Sequence, residues 1–170
     1  MSSALLPCVV LASAAQAEAA RCLALTATQT IYAGDIVFAV DNAMAAPDSD
    51  AMVVLLGDIV IGFYRLDYPT ATFGKQGVDR RTATLRAFAL DVAWQGRGLG
   101  LPTLAACCAD LTQRHPERVL LALNVHAANT IAVQLYRRAG FVDSGERMRG
   151  GRGGPQYLML RALGVGQWAP

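Results

Sequence analysis

The residues with the clearest chemical potential form a glycine-rich turn at positions 90–100, between a predicted strand and a predicted helix. Gly96, Gly98 and Gly100 alternate with side chains there, and glycine lets the backbone adopt positive φ angles and approach a ligand closely. Backbone N–H groups beside the positive end of a helix favour phosphate. Arg97 adds a guanidinium that stays protonated at physiological pH. The turn therefore indicates a phosphate-binding site.

The spacing of the turn excludes two common nucleotide-binding motifs. A dinucleotide fingerprint that began at Gly98 would need glycine at position 103, where the chain has Thr103. A Walker loop would need Gly-Lys-Ser or Gly-Lys-Thr, and the sequence contains neither. A glycine-rich turn after a strand also occurs for purely structural reasons, and the turn alone leaves that alternative open.

Two sequence motifs, one at positions 95–100 and one at positions 129–141, resemble in the same order the pattern of a known family. Gln95-x-x-Gly98-x-Gly100 resembles the Q/R-x-x-G-x-G/A signature of the GCN5-related N-acetyltransferase (GNAT) family, which binds the pyrophosphate of acetyl-coenzyme A. The later segment at positions 129–141 is similar to the second half of that family's pattern. Its matching residues are Asn129, Ala132, Tyr136, Gly140 and Phe141. The order of predicted elements agrees with the family from position 13 to position 160.

The resemblance implies an α/β (α+β) fold, with a mixed central sheet, helices on both faces and acetyl-coenzyme A bound between two splayed central strands. It implies that the amides near Phe88 and Leu90 contact pantetheine and the acetyl carbonyl, although both side chains are core residues on any interpretation. The implied cofactor-binding positions are Phe88, Leu90, Gln95, Gly96, Arg97, Gly98, Leu99, Gly100, Asn129 and Tyr136.

The resemblance also makes Tyr136 the acid that protonates the leaving coenzyme A thiolate. The alternative is a core tyrosine with its hydroxyl at an edge. Family members often carry a glutamate base on the strand before the turn, but this strand has no carboxylate before Asp91. Asp91, Asp67 and Asp79 are candidate bases by position, and a water relay without a dedicated base is the alternative.

Several other charged residues have simpler explanations. Arg137 and Arg138 are candidates for the 3′-phosphate of the cofactor, or are solvated residues at a helix end. The Arg-Gly segment at positions 147–153 is interpreted as a hairpin loop near the substrate mouth or at a dimer contact, rather than as an RNA-binding segment. His115 and His126 are interpreted as surface or packing residues.

Composition places limits on class and compartment. The 170 residues fit one domain spanning positions 1–170, and 54% hydrophobic residues exclude a disordered chain. A net charge of +2 makes nucleic acid an unlikely partner. The four cysteines show no metal-ligand spacing, so no metal is expected. The apolar N-terminal run lacks a basic segment before it, and no stretch predicts a membrane span; we expect a cytoplasmic protein.

Periodicity and turn signals predict the elements. Helices are expected at 14–24, 34–44, 98–114 and 130–139, the first because Ser13 and Gln16 form a capping box. Strands are expected at 8–11, 52–56, 59–66, 83–90, 119–125, 141–147 and 156–160. Positions 47–50 and 67–81 are predicted loops.

The resemblance therefore implies an N-acetyltransferase in which an amine attacks the thioester of acetyl-coenzyme A directly. A small-molecule or polyamine-like primary amine is favoured, because the segment at positions 153–156 is similar to a bacterial subgroup near the polyamine acetyltransferases. The alternatives are a catalytically silent acyl-coenzyme A sensor and an arginine-rich RNA-binding protein. A homodimer is possible.

Overall fold

The computed structural model describes residues 5–68 and 81–164. In chain order, these residues form β1 (Cys8–Leu11), α1 (Ala14–Arg21), α2 (Ala27–Ala33), α3 (Ile36–Ala45), β2 (Ser49–Leu56), β3 (Ile59–Asp67), β4 (Thr82–Leu90), α4 (Gly100–Arg114), β5 (Leu120–His126), α5 (Thr130–Arg138), β6 (Val142–Met148) and β7 (Gln156–Ala162). A short 3₁₀ helix, Val92–Trp94, precedes α4. None of these helices is long and apolar enough to cross a membrane.

The seven strands form one mixed sheet in the order β1-β2-β3-β4-β5-β7-β6. Strands β4 and β5 are parallel, and the other neighbouring strands described here are antiparallel. The sheet therefore combines a β-meander with a crossover through α4, which is the mixed architecture expected from the sequence.

Each face of the sheet is covered by its own helices. Helices α1 and α3 cover one face, which we call the α3 face, where their alanines pack against Val53 and Phe63. Helices α4 and α5 cover the other, the α4 face. Its core includes Leu104, Cys107, Leu111, Leu121, Leu123, Val133, Tyr136 and Met159. The prediction of helices on both faces is confirmed.

Strands β4 and β5 separate halfway along their length. Their pairing runs from Thr82↔Leu120 to Leu85↔Leu123. Beyond that point β4 continues to Leu90 paired with β3 alone, and β5 continues to His126 paired with β7 alone. The gap between the two diverging strands lies at the centre of the sheet.

A β-bulge in β4 accompanies the separation. Ala89 pairs with Phe63 and Arg86 pairs with Arg65, so that Ala87 and Phe88 together oppose one residue of β3. Ala87 has a φ of 52°, a left-handed conformation that is rare for a residue with a side chain. The extra residue shifts the alternation of side chains, which is why Leu85 and Phe88 both pack on the α4 face.

Two sequence predictions need correction. Helix α2 was not predicted, although Thr26 and Gln29 form the same reciprocal capping box as Ser13 and Gln16. The predicted loop at 47–50 is wrong in its second half, because β2 already begins at Ser49. Polar partners stabilise this start: the Ser49 hydroxyl donates to Asp67 at 2.6 Å. Most of the predicted loop at 67–81 lies outside the described residues.

The close approach of β3 to β4 gives a stability prediction. A Cβ atom on Gly62 would lie 2.6 Å from Leu90 Cδ2 and 2.7 Å from the Ala89 carbonyl oxygen. Gly62→Ala should therefore lower the free energy of unfolding by about 1–3 kcal/mol and the melting temperature by about 2–8 °C. Thermal unfolding checks this, with Gly151→Ala as the control, because a Cβ there meets nothing within 4 Å. Equal melting temperatures for the two variants would contradict the packing argument.

Candidate active site

The gap between β4 and β5 forms a cleft through the centre of the sheet. Helix α2 lies across it at one side and α5 at the other. The residues that line it are Tyr32, Ala33, Leu85, Arg86, Ala87, Phe88, Leu123, Asn124, Val125, His126, Asn129, Ala132 and Tyr136. Of the residues expected at the site, Phe88, Asn129 and Tyr136 are on this wall.

The cleft connects the two faces of the sheet. On β5, Leu123 and Val125 belong to the core of the α4 face. Because side chains alternate along a strand, Asn124 and His126 point to the α3 face. The ring of His126 accordingly lies 5.3 Å from the ring of Tyr32 on α2. A ligand can therefore enter from one face and meet a second ligand that enters from the other.

The diverging edge of β4 presents backbone N–H groups to the cleft. The Asp91 amide donates to the Ile61 carbonyl of β3 at 2.8 Å. Amides alternate in direction along a strand, so those of Phe88 and Leu90 point away from β3, toward the gap that β5 has left. The Leu90 carbonyl confirms this direction, because it accepts a hydrogen bond from Gln95 Nε2 at 2.8 Å. The Leu90 side chain is 8% exposed and belongs to the core.

The glycine-rich turn adopts the conformation that its sequence predicts. Gly96 and Gly98 have φ angles of 69° and 74°, and a Cβ on either would meet nothing within 4 Å. Helix α4 begins without a side-chain cap and without an acidic residue in its first turn, so its first amides are open to a ligand. A Cβ on Gly100 would lie 3.0 Å from Leu135, which places the turn directly against α5.

Arg97 and Leu99 complete the turn. The Arg97 guanidinium lies over the ring of Trp94 at 4.9 Å and stays exposed to solvent. Leu99 is partly buried against the core of the α4 face. The turn, α5 and the cleft therefore form one continuous surface on the α4 face, with the exposed Arg97 side chain at its outer end.

Asp91 is an anchor of the local backbone. Its carboxylate accepts hydrogen bonds from the Ala24 amide at 2.6 Å and the Ala93 amide at 2.8 Å. These bonds start the 3₁₀ helix and fix the chain that leads into α2. Asp91 does not line the cleft. This carboxylate therefore anchors the local backbone, and its role as one of the candidate bases stays a prediction.

The other candidate bases are also not in the cleft. Asp67 forms ion pairs with Arg65 and Arg86 and accepts the Ser49 hydroxyl. Asp79 lies outside the described residues. Among the described residues that line the cleft, none is an aspartate or a glutamate. No dedicated carboxylate base is therefore evident in the cleft that the structure describes.

Asn129 and Tyr136 line the cleft on the side of α5. Asn129 caps α5 by accepting a hydrogen bond from the Ala132 amide at 3.3 Å, as its position predicts. Tyr136 is 8% exposed, and its ring lies 6.3 Å from Phe88 and 5.6 Å from Phe141. Burial, with a smaller contribution from Cys107, raises the pKa of the Tyr136 phenol. Its hydroxyl has no hydrogen-bond partner within the described parts of the chain.

Among the lining residues that were not expected from the sequence are the ring side chains of Tyr32 and His126. Tyr32 arrives with α2, and the capping box at Thr26 was the signal that could have revealed it. His126 is 7% exposed. Its ring lies 3.3 Å from the carbonyl oxygen of Gly154, in the connection between β6 and β7, and 3.0 Å from the side chain of Gln156, the first residue of β7. It lies on the cleft wall because β5 continues beyond the last residue that pairs with β4. No local sequence pattern predicts where that pairing ends. His115 packs instead on Tyr68, with 4.6 Å between the rings.

The remaining candidates lie outside the cleft. Cys107 and Cys108 are buried in the core of the α4 face, and burial raises the pKa of both thiols. Arg137 and Arg138 are exposed in the last turn of α5. Over residues 5–68 and 81–164, no cluster of three or more histidine, cysteine or acidic side chains could hold a metal ion.

Comparison with known proteins agrees with this geometry. The model of the acetyltransferase (GNAT) family matches residues 18–141 of the chain. The chain belongs to the GNAT acetyltransferase family. The matched segment runs from α1 to the end of α5 and includes the glycine-rich turn, the bulged strand β4 and Tyr136.

Solved structures show the same GNAT fold over nearly the whole chain. AAC(6')-Ib in complex with paromomycin and acetyl-coenzyme A is 16% identical, with a TM-score of 0.74 over 92% of this chain and 93% of that one. An aminoglycoside N(6')-acetyltransferase from Legionella pneumophila is 15% identical, with a TM-score of 0.70 over 95% and 94%. Spermidine N-acetyltransferase from Vibrio cholerae, in complex with coenzyme A and spermine, is 18% identical, with a TM-score of 0.67 over 92% and 95%.

The anchoring role of Asp91 is testable. Asp91→Ala removes the acceptor of two backbone amides and should lower the free energy of unfolding by about 1–3 kcal/mol. Asp91→Asn keeps one acceptor and should lie between that variant and wild type. Below the melting transition, the pH dependence of kcat should keep its shape in both variants. Thermal unfolding and steady-state kinetics check these outcomes, with the exposed turn residue Asp58→Ala as control. Loss of the acidic limb of the pH profile in Asp91→Asn would instead identify Asp91 as the base.

Proposed function

We propose that the protein is an N-acetyltransferase that moves the acetyl group of acetyl-coenzyme A to the primary amine of a small molecule by direct attack. The observation that carries the proposal is the cleft that passes through the sheet. It joins a phosphate-binding turn on the α4 face to an opening on the α3 face, with backbone amides and a buried tyrosine between them. Two substrates can meet in it without a covalent enzyme intermediate.

The turn binds the diphosphate end of the cofactor. The open amides at the start of α4 point outward beside the two left-handed glycines, and the helix dipole favours negative charge there. The absence of an acidic residue from the first turn removes the repulsion that such a residue would cause. Arg97 adds a positive charge, placed over the Trp94 ring, at the same end. These residues fit coenzyme A.

The amides of Phe88 and Leu90 stabilise the reacting carbonyl. Acetyl-coenzyme A, when bound, supplies an acetyl group as an activated thioester. As the amine nitrogen bonds to the carbonyl carbon, negative charge builds up on oxygen, and fixed N–H donors in a buried site stabilise it. The register of β4 on β3 sets the direction of these donors, because the Asp91 amide points to Ile61 and the amides of Leu90 and Phe88 alternate with those that face β3.

Tyr136 supplies the proton for the leaving thiolate. Breaking the carbon–sulfur bond leaves a thiolate, and the amine nitrogen must lose one proton for each amide formed. A thiol has a reference pKa of about 8.5 and a phenol about 10. Burial raises the pKa of Tyr136 further, so the phenol stays protonated through neutral pH. It transfers its proton as negative charge develops on the leaving sulfur. Solvent relays the proton that the amine nitrogen loses to the Tyr136 phenolate, which restores the phenol for the next turnover.

Gly98→Val tests the turn. The substitution adds a branched side chain where phosphate must approach, and it should abolish measurable binding of acetyl-coenzyme A in calorimetry. Gly145→Val is the matched control, since Gly145 has a φ of 84° and equally open surroundings but lies on β6. Both variants carry similar backbone strain, so melting temperatures without ligand separate strain from loss of binding. Unchanged affinity in folded Gly98→Val would contradict the phosphate-binding role.

Tyr136→Phe tests the acid. The change keeps the ring and its packing on Phe88 and Phe141, so affinity for acetyl-coenzyme A should stay nearly the same while kcat falls by roughly 10²-fold. Tyr64→Phe is the matched control, because Tyr64 is fully buried in the same core and does not line the cleft. A kcat within about twofold of wild type, under conditions where chemistry limits the rate, would leave Tyr136 with a packing role only.

A further inference from the structure

Asn124 is the one exposed residue of β5, the strand that forms one wall of the cleft. Its neighbours Leu123 and Val125 are 2% and 4% exposed. Asparagine is disfavoured in strands, because its short amide competes with the backbone for hydrogen bonds. An exposed polar side chain in an interior strand therefore departs from what stability alone favours, and such departures are expected at functional positions.

Asn124 lies where β4 and β5 separate. The last pair between the two strands is Leu85↔Leu123. Arg86 and Asn124 directly follow that pair, and both line the cleft. The backbone of Asn124 still pairs with Leu158 of β7. The sheet therefore holds Asn124 in place on the wall opposite β4, with its side chain on the α3 face.

The polar side chains beside Asn124 on this face already have partners. Arg86 is 63% exposed and forms an ion pair with Asp67 at 3.2 Å. The ring nitrogens of His126 lie 3.3 Å from a carbonyl oxygen of the β6–β7 connection and 3.0 Å from a glutamine side chain of β7. The side-chain amide of Asn124 forms no hydrogen bond with the described parts of the chain. It is therefore available to a ligand.

Tyr32 is a second polar side chain at this opening, and it is held less firmly. It belongs to α2, none of whose seven residues is buried, and its ring lies 5.3 Å from that of His126. An element with few buried contacts opens locally at a low cost in free energy. Asn124 belongs instead to a strand that is paired with β7 over its whole length. A side chain on such a strand is better suited to orient a reacting group.

The acceptor amine reaches the thioester from the α3 face. The turn that binds the phosphates lies on the α4 face against α5, since a Cβ on Gly100 would lie 3.0 Å from Leu135. The thioester therefore enters the gap from that face, and the amides of Phe88 and Leu90 point into the gap from β4. Asn124 faces the gap from β5. The reacting carbonyl and the amine thus have hydrogen-bonding partners on opposite walls.

We propose that Asn124 binds the acceptor amine and orients it for attack, by accepting one of its N–H groups on Oδ1. A neutral primary amine has one lone pair and two N–H groups, so donation of one hydrogen to Asn124 leaves the lone pair free for the carbonyl carbon. The carbon–nitrogen bond forms as the carbon–sulfur bond breaks. The thiolate takes the proton of Tyr136, and solvent returns the proton of the amine to the phenolate. This inference rests on the proposed acetyl transfer.

Three side chains of similar size at position 124 test this role. Thiol release from acetyl-coenzyme A is measured for wild type with spermidine, kanamycin, lysine, glycinamide and an alanyl peptide, and the amine with the highest kcat/KM is used for every variant. Asn124→Leu removes the acceptor oxygen and should lower this kcat/KM about tenfold, while the affinity for acetyl-coenzyme A stays nearly the same. Asn124→Asp keeps an acceptor oxygen and should retain at least about a third of the wild-type value.

The pH profile of Asn124→Asp gives a second readout. A carboxylate attracts the ammonium form of the amine and can take its proton, which an amide cannot do. The acidic limb of kcat/KM should therefore lie about 0.5 pH or more below that of wild type. An acidic limb at the wild-type position would show that residue 124 does not face the amine, and it would overturn the proposal.

Gln113→Leu is the matched control. Gln113 is an exposed amide on α4 that does not line the cleft, so this variant should leave kcat/KM and the pH profile unchanged. Leucine is favoured over asparagine in strands, so Asn124→Leu should melt at or above the wild-type temperature, and a lower rate is then not a sign of unfolding. A kcat/KM of Asn124→Leu within about twofold of wild type, or equal losses in Asn124→Leu and Asn124→Asp, would also overturn the proposal.

The two levels of the proposal fail separately. If the wild-type protein releases no thiol with any of these amines while acetyl-coenzyme A still binds, the proposed acetyl transfer is wrong and the role of Asn124 falls with it. If the wild-type protein acetylates an amine and Asn124→Leu does so equally well, acetyl transfer stands and only the role of Asn124 is wrong.

Discussion

The separation of β4 from β5 after Leu85 and Leu123 is the constraint on which the site depends. Two parallel strands at the centre of a sheet normally satisfy each other's amides, so their divergence leaves donors that a ligand can use. The bulge at Ala87 accompanies this divergence, and the register of β4 on β3 leaves the amides of Phe88 and Leu90 on the open side. The cleft is therefore the place where the hydrogen bonding of the sheet is interrupted, so that backbone N–H groups of β4 remain open to a ligand.

Contacts on both faces of the sheet stabilise the part of β4 that no longer pairs with β5. On the α4 face, Phe88 packs between Tyr64 and Tyr136, so the bulged strand is held against the core although it has lost one neighbour. Near the α3 face, Asp91 and the Leu90 carbonyl connect β4 to the chain around α2, through the Ala24 amide and Gln29. The same hydrogen bonds thus position α2, which forms part of the cleft wall.

The positively charged groups on the two faces of the sheet have different surroundings. On the α4 face, the open amides at the start of α4 lie beside the exposed Arg97 side chain. On the α3 face, Arg86 lines the cleft and shares the Asp67 carboxylate with Arg65. The first group is exposed to a ligand, whereas the second is held in ion pairs within the described residues.

The sequence by itself determined the local parts of this protein. Glycines at 96 and 98, the cap at Asn129 and the apolar stripe of α4 act through nearby backbone geometry, so the turn, the second motif and most elements were predictable. The capping box at Thr26 was present in the sequence and was not used. Only the tertiary structure decided that β4 and β5 diverge, that the Asp91 carboxylate accepts the Ala24 amide and that His126 meets Tyr32 on the cleft wall. Each of these depends on contacts between residues far apart in the chain, and a local pattern carries no information about them.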